Sequence, residues 1–248
     1  VIAALIVLVF VGAFAQRVTG LGFGLVVSPF IVLLLGPYSG VMILNLAAIV
    51  SASLVLSRVW RHVDWRRLAG FVPSALAGII AGAFIAHALA APWLEGIIGV
   101  TLIIALTVSQ VIGRTSFVAH GPGWVIGTGV TAGVMNSAAG IGGPAMTVYA
   151  VLSEWEQRSF SATLQPFFAF TGIASFLTKY LIDPGRLVAL PWGVWAGILG
   201  ALLAGVAAGG RVAERVSGLA ARRAVLGISY AGGAVTAAKG IAGILGIA

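Results

Sequence analysis

Two apolar stretches, residues 1–36 and 122–152, are each too long for one ordinary membrane helix and too polar in the middle to be continuous. A helix needs about 20 mostly apolar residues to cross a bilayer. Six further stretches, at 40–57, 68–88, 93–112, 160–180, 187–208 and 222–246, each have the length of one span. The first long stretch is broken by Gln16-Arg17-Val18-Thr19-Gly20-Leu21-Gly22-Phe23-Gly24, the second by Asn136-Ser137-Ala138-Ala139-Gly140-Ile141-Gly142-Gly143-Pro144. Only 8% of the residues are charged, against about 25% in ordinary soluble domains. That leaves too few polar side chains to cover a water-facing globule, and so apolar a chain is not disordered either. With no cysteine, a disulfide framework, iron–sulfur ligation and Cys-ligated zinc are excluded. The fold class is therefore all-α and polytopic, with the lipid bilayer as solvent. The chain opens in an apolar run without Met and shows no discrete cleavable signal, as expected of a sequence that starts inside a longer one.

The breaks sit in matching places. At an offset of 120, Gln16 falls on Asn136, Gly20 on Gly140, Leu21 on Ile141 and Gly22 on Gly142. The match continues with Ser39 on Ser159, Leu44 on Leu164, Asn45 on Gln165 and Arg66 on Arg186. This predicts two homologous halves, 1–112 and 122–248, joined by a loop at 113–121.

The basic residues decide how the breaks cross. Lys and Arg are enriched in cytoplasmic loops. If every apolar stretch crosses once, the basic loops at 58–67 and 209–223 lie on opposite sides. If each broken stretch instead turns back as two half-length helices, there are ten segments and both loops share a side. Arg17, Arg58, Arg61, Arg66, Arg67, Arg114, Arg158, Arg211, Arg215, Arg222 and Arg223 then face the cytoplasm, and only Lys179, Arg186 and Lys239 oppose them. The net charge of +8 is thus a topology signal and not a nucleic-acid surface. Five segments per half is an odd number, so the repeats are inverted, each a Gly-rich broken hairpin followed by three transmembrane helices. Inverted repeats with broken helices recur among transporters. Both termini would be periplasmic.

Irregular backbone at membrane depth is tolerated only inside protein or along a wet cavity. A Gly-rich break leaves amide N–H groups free at the start of the next half-helix, and these, with the helix dipole, favour an anion. The candidate anion-binding residues are Gly20, Gly22 and Gly24 in the first break and Gly140, Gly142 and Gly143 in the second. Thr19, Asn136 and Ser137 add hydrogen-bonding side chains, and Arg17 a formal charge. The matched amides Asn45 and Gln165 are further candidates, because intramembrane polar residues are functional by default. The plainer readings are an interhelical hydrogen bond for the amides and a snorkelling side chain for Arg17. Gly12, Gly78, Gly82, Gly197, Gly200 and Gly205 read as packing positions. His87 reads as interfacial, and with His62 and His120 it makes no metal-ligand set. The acids Asp64, Glu95, Glu154, Glu156, Asp183 and Glu214 all fall in or beside loops, which argues against a cation-coupled carrier. No catalytic arrangement, cofactor or metal is expected.

Gly133-Val134-Met135-Asn136-Ser137-Ala138-Ala139-Gly140-Ile141-Gly142-Gly143-Pro144 followed by Arg158 and Ala162-Thr163, with Thr19-Gly20-Leu21-Gly22-Phe23-Gly24 and Ser28-Pro29 in the first half, resembles the TauE/SafE (TSUP) family of sulfite exporters. The resemblance covers nearly the whole chain. In the first half Phe23 stands where a Gly-Gly pair would repeat the second-half pattern. The resemblance implies a carrier of the bacterial inner membrane for small sulfur-containing anions such as sulfite or sulfonates. An anion channel built on the same hairpins is the alternative, and a membrane biogenesis factor a weaker one. A homodimer is compatible with the sequence, although nothing in it demands one.

Overall fold

A chain in lipid must satisfy its own backbone hydrogen bonds, and apolar runs of this length do so as helices. The computed structural model describes residues 2–19, 23–112, 118–119, 121–187, 189–213 and 218–247. Among them are ten α-helices: α1 Ile2–Thr19, α2 Phe23–Leu35, α3 Pro37–Val59, α4 Trp65–Ala88, α5 Ala91–Val111, α6 Pro122–Ala139, α7 Gly143–Leu152, α8 Gln157–Ile182, α9 Trp192–Ala213 and α10 Gly218–Ile244. Seven helical segments, drawn from α1, α3, α4, α5, α8, α9 and α10, are long and apolar enough to cross a membrane. The ten-segment division stands, with one difference. The first limbs of the broken stretches are not half-length: α1 and α6 have 18 residues each, about 27 Å at 1.5 Å per residue. The second limbs are the short ones, α2 with 13 residues and α7 with 10.

Local chemistry sets the helix ends. Pro37 and Pro122 open α3 and α6, where a missing N–H costs nothing. The Asp64 carboxylate accepts from the Arg67 N–H at the start of α4 (2.9 Å). Glu156 accepts from the Arg158 and Ser159 N–H groups at the start of α8 (2.9 and 2.7 Å), and these two bonds hold its carboxyl below the usual range.

Helix pairing crosses the halves. The most extensive packing is of α4 with α6, α1 with α9, and α5 with α10, and α3 lies along α8. Adding five to each first-half helix number and subtracting five from each second-half number turns the α1–α9 pair into α6–α4 and leaves α5–α10 and α3–α8 unchanged. Small residues make these approaches possible. A side chain at Gly82 would strike the Val134 carbonyl (2.7 Å), and one at Gly205 the Phe10 carbonyl (2.6 Å). A side chain at Gly197 would meet Ile6 (2.8 Å), whereas Gly200, expected to pack, faces open space.

The apolar cores follow the same exchange. One is built from α1, α2, α3 and α9, around Val9, Val27, Leu44 and Leu202. Another is built from α4, α6, α7 and α8, around Phe71, Ala132, Met146 and Phe167. Each bundle takes three helices from one half and its fourth from the other. A third cluster joins α5 and α10 to α2 and α3.

Candidate anion site between the two breaks

The breaks converge on one small cavity between the two bundles. Gln16, Phe23, Gly24 and Ala48 wall it from the first bundle, and Asn136, Gly140, Gly142, Gly143 and Phe168 from the second. Its volume is about 20 Å³, room for about one water. The approach is close: a Cβ at Gly24 would run into the Gly140 carbonyl, and the Ser28 hydroxyl donates to the Ala139 carbonyl.

The second break can turn because Gly140 adopts a left-handed conformation (φ 72°), which costs glycine nothing. Its N–H donates to the Asn136 carbonyl (2.8 Å), and the Ile141 N–H donates to the Met135 carbonyl (3.3 Å). These bonds satisfy the end of α6. Gly142 and Gly143 then open α7, with Pro144 in its first turn. The first-turn N–H groups of a helix have no intrahelical acceptor. The starts of α2 and α7 both border the cavity, so two positive dipole ends meet there.

Two amide clusters flank it. The Gln16 amide donates to Gln165 (3.3 Å) and accepts from the Ser51 hydroxyl (2.6 Å). The Asn136 amide donates to Asn45 (3.4 Å) and to the Thr171 carbonyl (3.2 Å), and Asn45 donates to the Ser175 hydroxyl (2.9 Å). At the offset of 120, Gln16 is the counterpart of Asn136, Gln165 of Asn45 and Ser51 of Thr171. Matched residues thus build both clusters, each joining a broken stretch to a long helix of the opposite half.

Gln16 and Gln165 also form one wall of a wider vestibule of about 260 Å³ lined by Arg17, Arg58, His62 and Arg158. Gly209 and Gly210, near the end of α9, lie against the Arg17 side chain. Cations from both halves therefore gather at one end of the molecule.

Of the residues expected to bind, Gly24, Asn136, Gly140, Gly142 and Gly143 line the cavity, and Arg17 and Gln165 line the vestibule. Asn45 is tied to Asn136 beneath it. Ser137 is buried elsewhere, its Cβ against Gly82 of α4. The Thr19 hydroxyl donates to the Ala15 carbonyl (2.7 Å). Gly20 and Gly22 lie outside the described residues, as do Arg114, His120, Glu214 and Arg215. Gln16, Ser51, Ala48 and the rings of Phe23 and Phe168 were not singled out as site residues. The counterpart relation of Gln16 to Asn136 was the available signal for the first. Tyr149 packs with Phe71 and Trp155 (ring centroids 5.1 and 6.4 Å) away from the cavity.

The family model described as sulfite exporter TauE/SafE matches residues 4–236, a span that includes both breaks and both bundles. Searches of curated proteins and of solved structures gave no match. The family is one of transporters and not of enzymes. This multi-pass, all-helical membrane chain belongs to the TauE/SafE sulfite exporter family.

Proposed function

We propose that the protein is a secondary transporter that exports a small sulfur-containing anion, sulfite or a sulfonate, across the bacterial inner membrane by alternating access. The observation that carries this reading is the convergence of two broken helices on one cavity that holds no carboxylate. Helix starts, backbone N–H groups and the Gln16 and Asn136 amides suit an anion. The vestibule, with three arginines, collects anions from the cytoplasm, and the inside-negative potential assists their departure by about 2.3 kcal/mol per charge per 100 mV.

The repeats, 1–112 and 122–248, are inverted in this reading, with the basic loops cytoplasmic and both termini periplasmic. Exchange of helix pairs at a shift of five supports it. Rocking of the two sequence halves against each other would break the α1–α9 and α4–α6 contacts, so in this reading the moving bodies differ from those halves and work against each other at the α3–α8 seam. They are the two bundles that share the cavity. A one-water cavity has to widen to admit sulfite, and parting of the bundles supplies that room.

The test is sulfite flux in proteoliposomes. Saturable efflux with acceleration by sulfite on the far side is expected, and single-channel currents would replace the carrier with a channel. Gly143→Leu probes the cavity better than a change at Gly142, since a side chain at Gly143 first meets the Phe168 ring (3.4 Å) but one at Gly142 strikes the Ala132 carbonyl (2.9 Å). Gly143→Leu is expected to abolish flux while the protein still folds. Reporter fusions at residues 62 and 217 should both read cytoplasmic; opposite readings would refute the ten-segment topology.

A further inference from the structure

Lys179 lies on α8 with its side chain fully buried and its ammonium without a hydrogen-bond partner. A snorkelling lysine keeps its charge in water, and this one does not. No carboxylate neutralises it among the described residues. The nearest acid in sequence, Asp183, is bound to Arg186 (3.0 Å) and faces His87 (3.8 Å). An ammonium with no hydrogen-bond acceptor at such a position is costly for the fold, and what the packing offers it is one aromatic face, that of Tyr38.

Its position gives it a use. The α3–α8 seam carries polar side chains along its length. Ser51 and Gln165 stand at the vestibule end, and Asn45 and Ser175 beside the cavity. Lys179 is one helical turn beyond Ser175, and its ammonium lies over the Tyr38 ring (4.8 Å), with the Tyr38 hydroxyl donating to the Lys179 carbonyl (2.9 Å). The Arg186 guanidinium packs on the same ring (5.0 Å), and Tyr38 and Arg186 border a second pocket of about 130 Å³ at the end opposite the vestibule. A buried cation, an aromatic partition and an outer cation thus follow one another from the cavity to that pocket.

We propose that Lys179 is a second anion site, which receives the anion from the inter-break cavity and passes it to the Tyr38–Arg186 pocket. Tyr38 is the partition that separates the site from the pocket. The inference rests on the transport reading above, and takes the same class of ligand, a small oxyanion of sulfur.

Lys179→Met keeps the length of the side chain and removes the charge, and Lys179→Arg keeps the charge. Sulfite counterflow is measured in proteoliposomes of one orientation, with sulfite varied on each side in turn. Lys179→Met should raise the half-saturating sulfite on the Tyr38–Arg186 side by about ten- to a hundredfold, the worth of a charge-assisted hydrogen bond. It should leave the vestibule side little changed, and Lys179→Arg should stay near wild type on both. An unchanged value on the Tyr38–Arg186 side, or an equal rise on both sides, overturns the proposal. Lys179→Met should melt at or above the wild-type temperature, since it removes a buried amine with no hydrogen-bond partner; a clear fall would mean that the fold already compensates the ammonium, and also overturns it. If wild-type protein carries no sulfite at all, the transport reading fails on its own. Calorimetric titration of purified wild type and Lys179→Met with sulfite then decides the site: weaker binding in the variant upholds it, and equal binding rejects it.

Discussion

The two breaks wall one cavity with the same parts placed differently. In the second, Gly143 opens the short helix and the neighbouring bulk comes from Phe168 on α8. In the first, the counterpart of Gly143 is Phe23, and the counterpart of Phe168 is Ala48. All four line the cavity. Each half therefore contributes one phenyl ring and one small residue, with the ring on the break in one half and on the long helix in the other. The lesson is that the bulk on the wall is held in common while its placement is not. At matched positions the second break places Gly143 on the cavity wall, and the first places the Phe23 ring there. Phe23 is also more structural, since it is 2% exposed and would meet any side chain placed at Gly12, whereas Phe168 is half-buried.

The largest expected effect tests whether the second break needs its turn. Gly140→Val puts a branched side chain at φ 72° and into Leu44, and should destabilise by about 3–4 kcal/mol from left-handed strain and overpacking. Thermal unfolding in detergent measures it, and a near-wild-type melting point would mean the break can turn without glycine. Next come the two rings. Phe23→Ala should cost about 3 kcal/mol in stability, as buried rings do. Phe168→Ala should cost less, and should instead shift the flux ratio from sulfite toward a bulkier sulfonate such as sulfoacetate. Equal stability losses, with no change in preference, would erase the asymmetry drawn here.

The amide clusters give a smaller effect that should be alike in the two halves. Asn136→Ala strips Asn45 and Thr171 of a donor, and Gln16→Ala strips Gln165 of a donor and Ser51 of an acceptor. Each should cost about 1–3 kcal/mol, the penalty for leaving buried partners unsatisfied. A large disparity in the measured unfolding free energies would show that only one cluster braces the site. The smallest effect concerns the vestibule, which has no equally cationic counterpart at the other end. Arg17→Gln should raise half-saturating sulfite on that side about two- to threefold at low salt and hardly at all near 1 M, where screening acts within about 3 Å. A salt-independent change would assign Arg17 to direct contact in place of long-range attraction.

Much of the cavity was legible as sequence. The breaks stand where glycine and polar residues interrupt apolar runs, and backbone in lipid cannot hide such an interruption. The equivalence of Gln16 with Asn136 and of Asn45 with Gln165 was visible as spacing. Their pairing was not. Gln16 reaches Gln165 and Asn136 reaches Asn45, and which amide meets which depends on how α1, α3, α6 and α8 cross. Ser137 shows the limit from the other direction. Adjacent to Asn136 in sequence, it turns to α4 because successive residues on a helix point about 100° apart.

The sequence by itself determined that this chain lives in a bilayer, that it forms ten helical segments, and where its two long apolar stretches break. Those properties follow from apolar run length and backbone chemistry, both local to the chain. Only the tertiary structure decided that α4 and α9 change bundles, that Phe23 and Phe168 divide one wall between them, and that Lys179 is buried without a hydrogen-bond partner. The reason is the solvent. In water an apolar stripe tells which face of a helix is buried, but in lipid nearly every face is apolar, so partner choice rests on small-residue contacts and buried polar groups. Such contacts can be recognised only when both helices are in place.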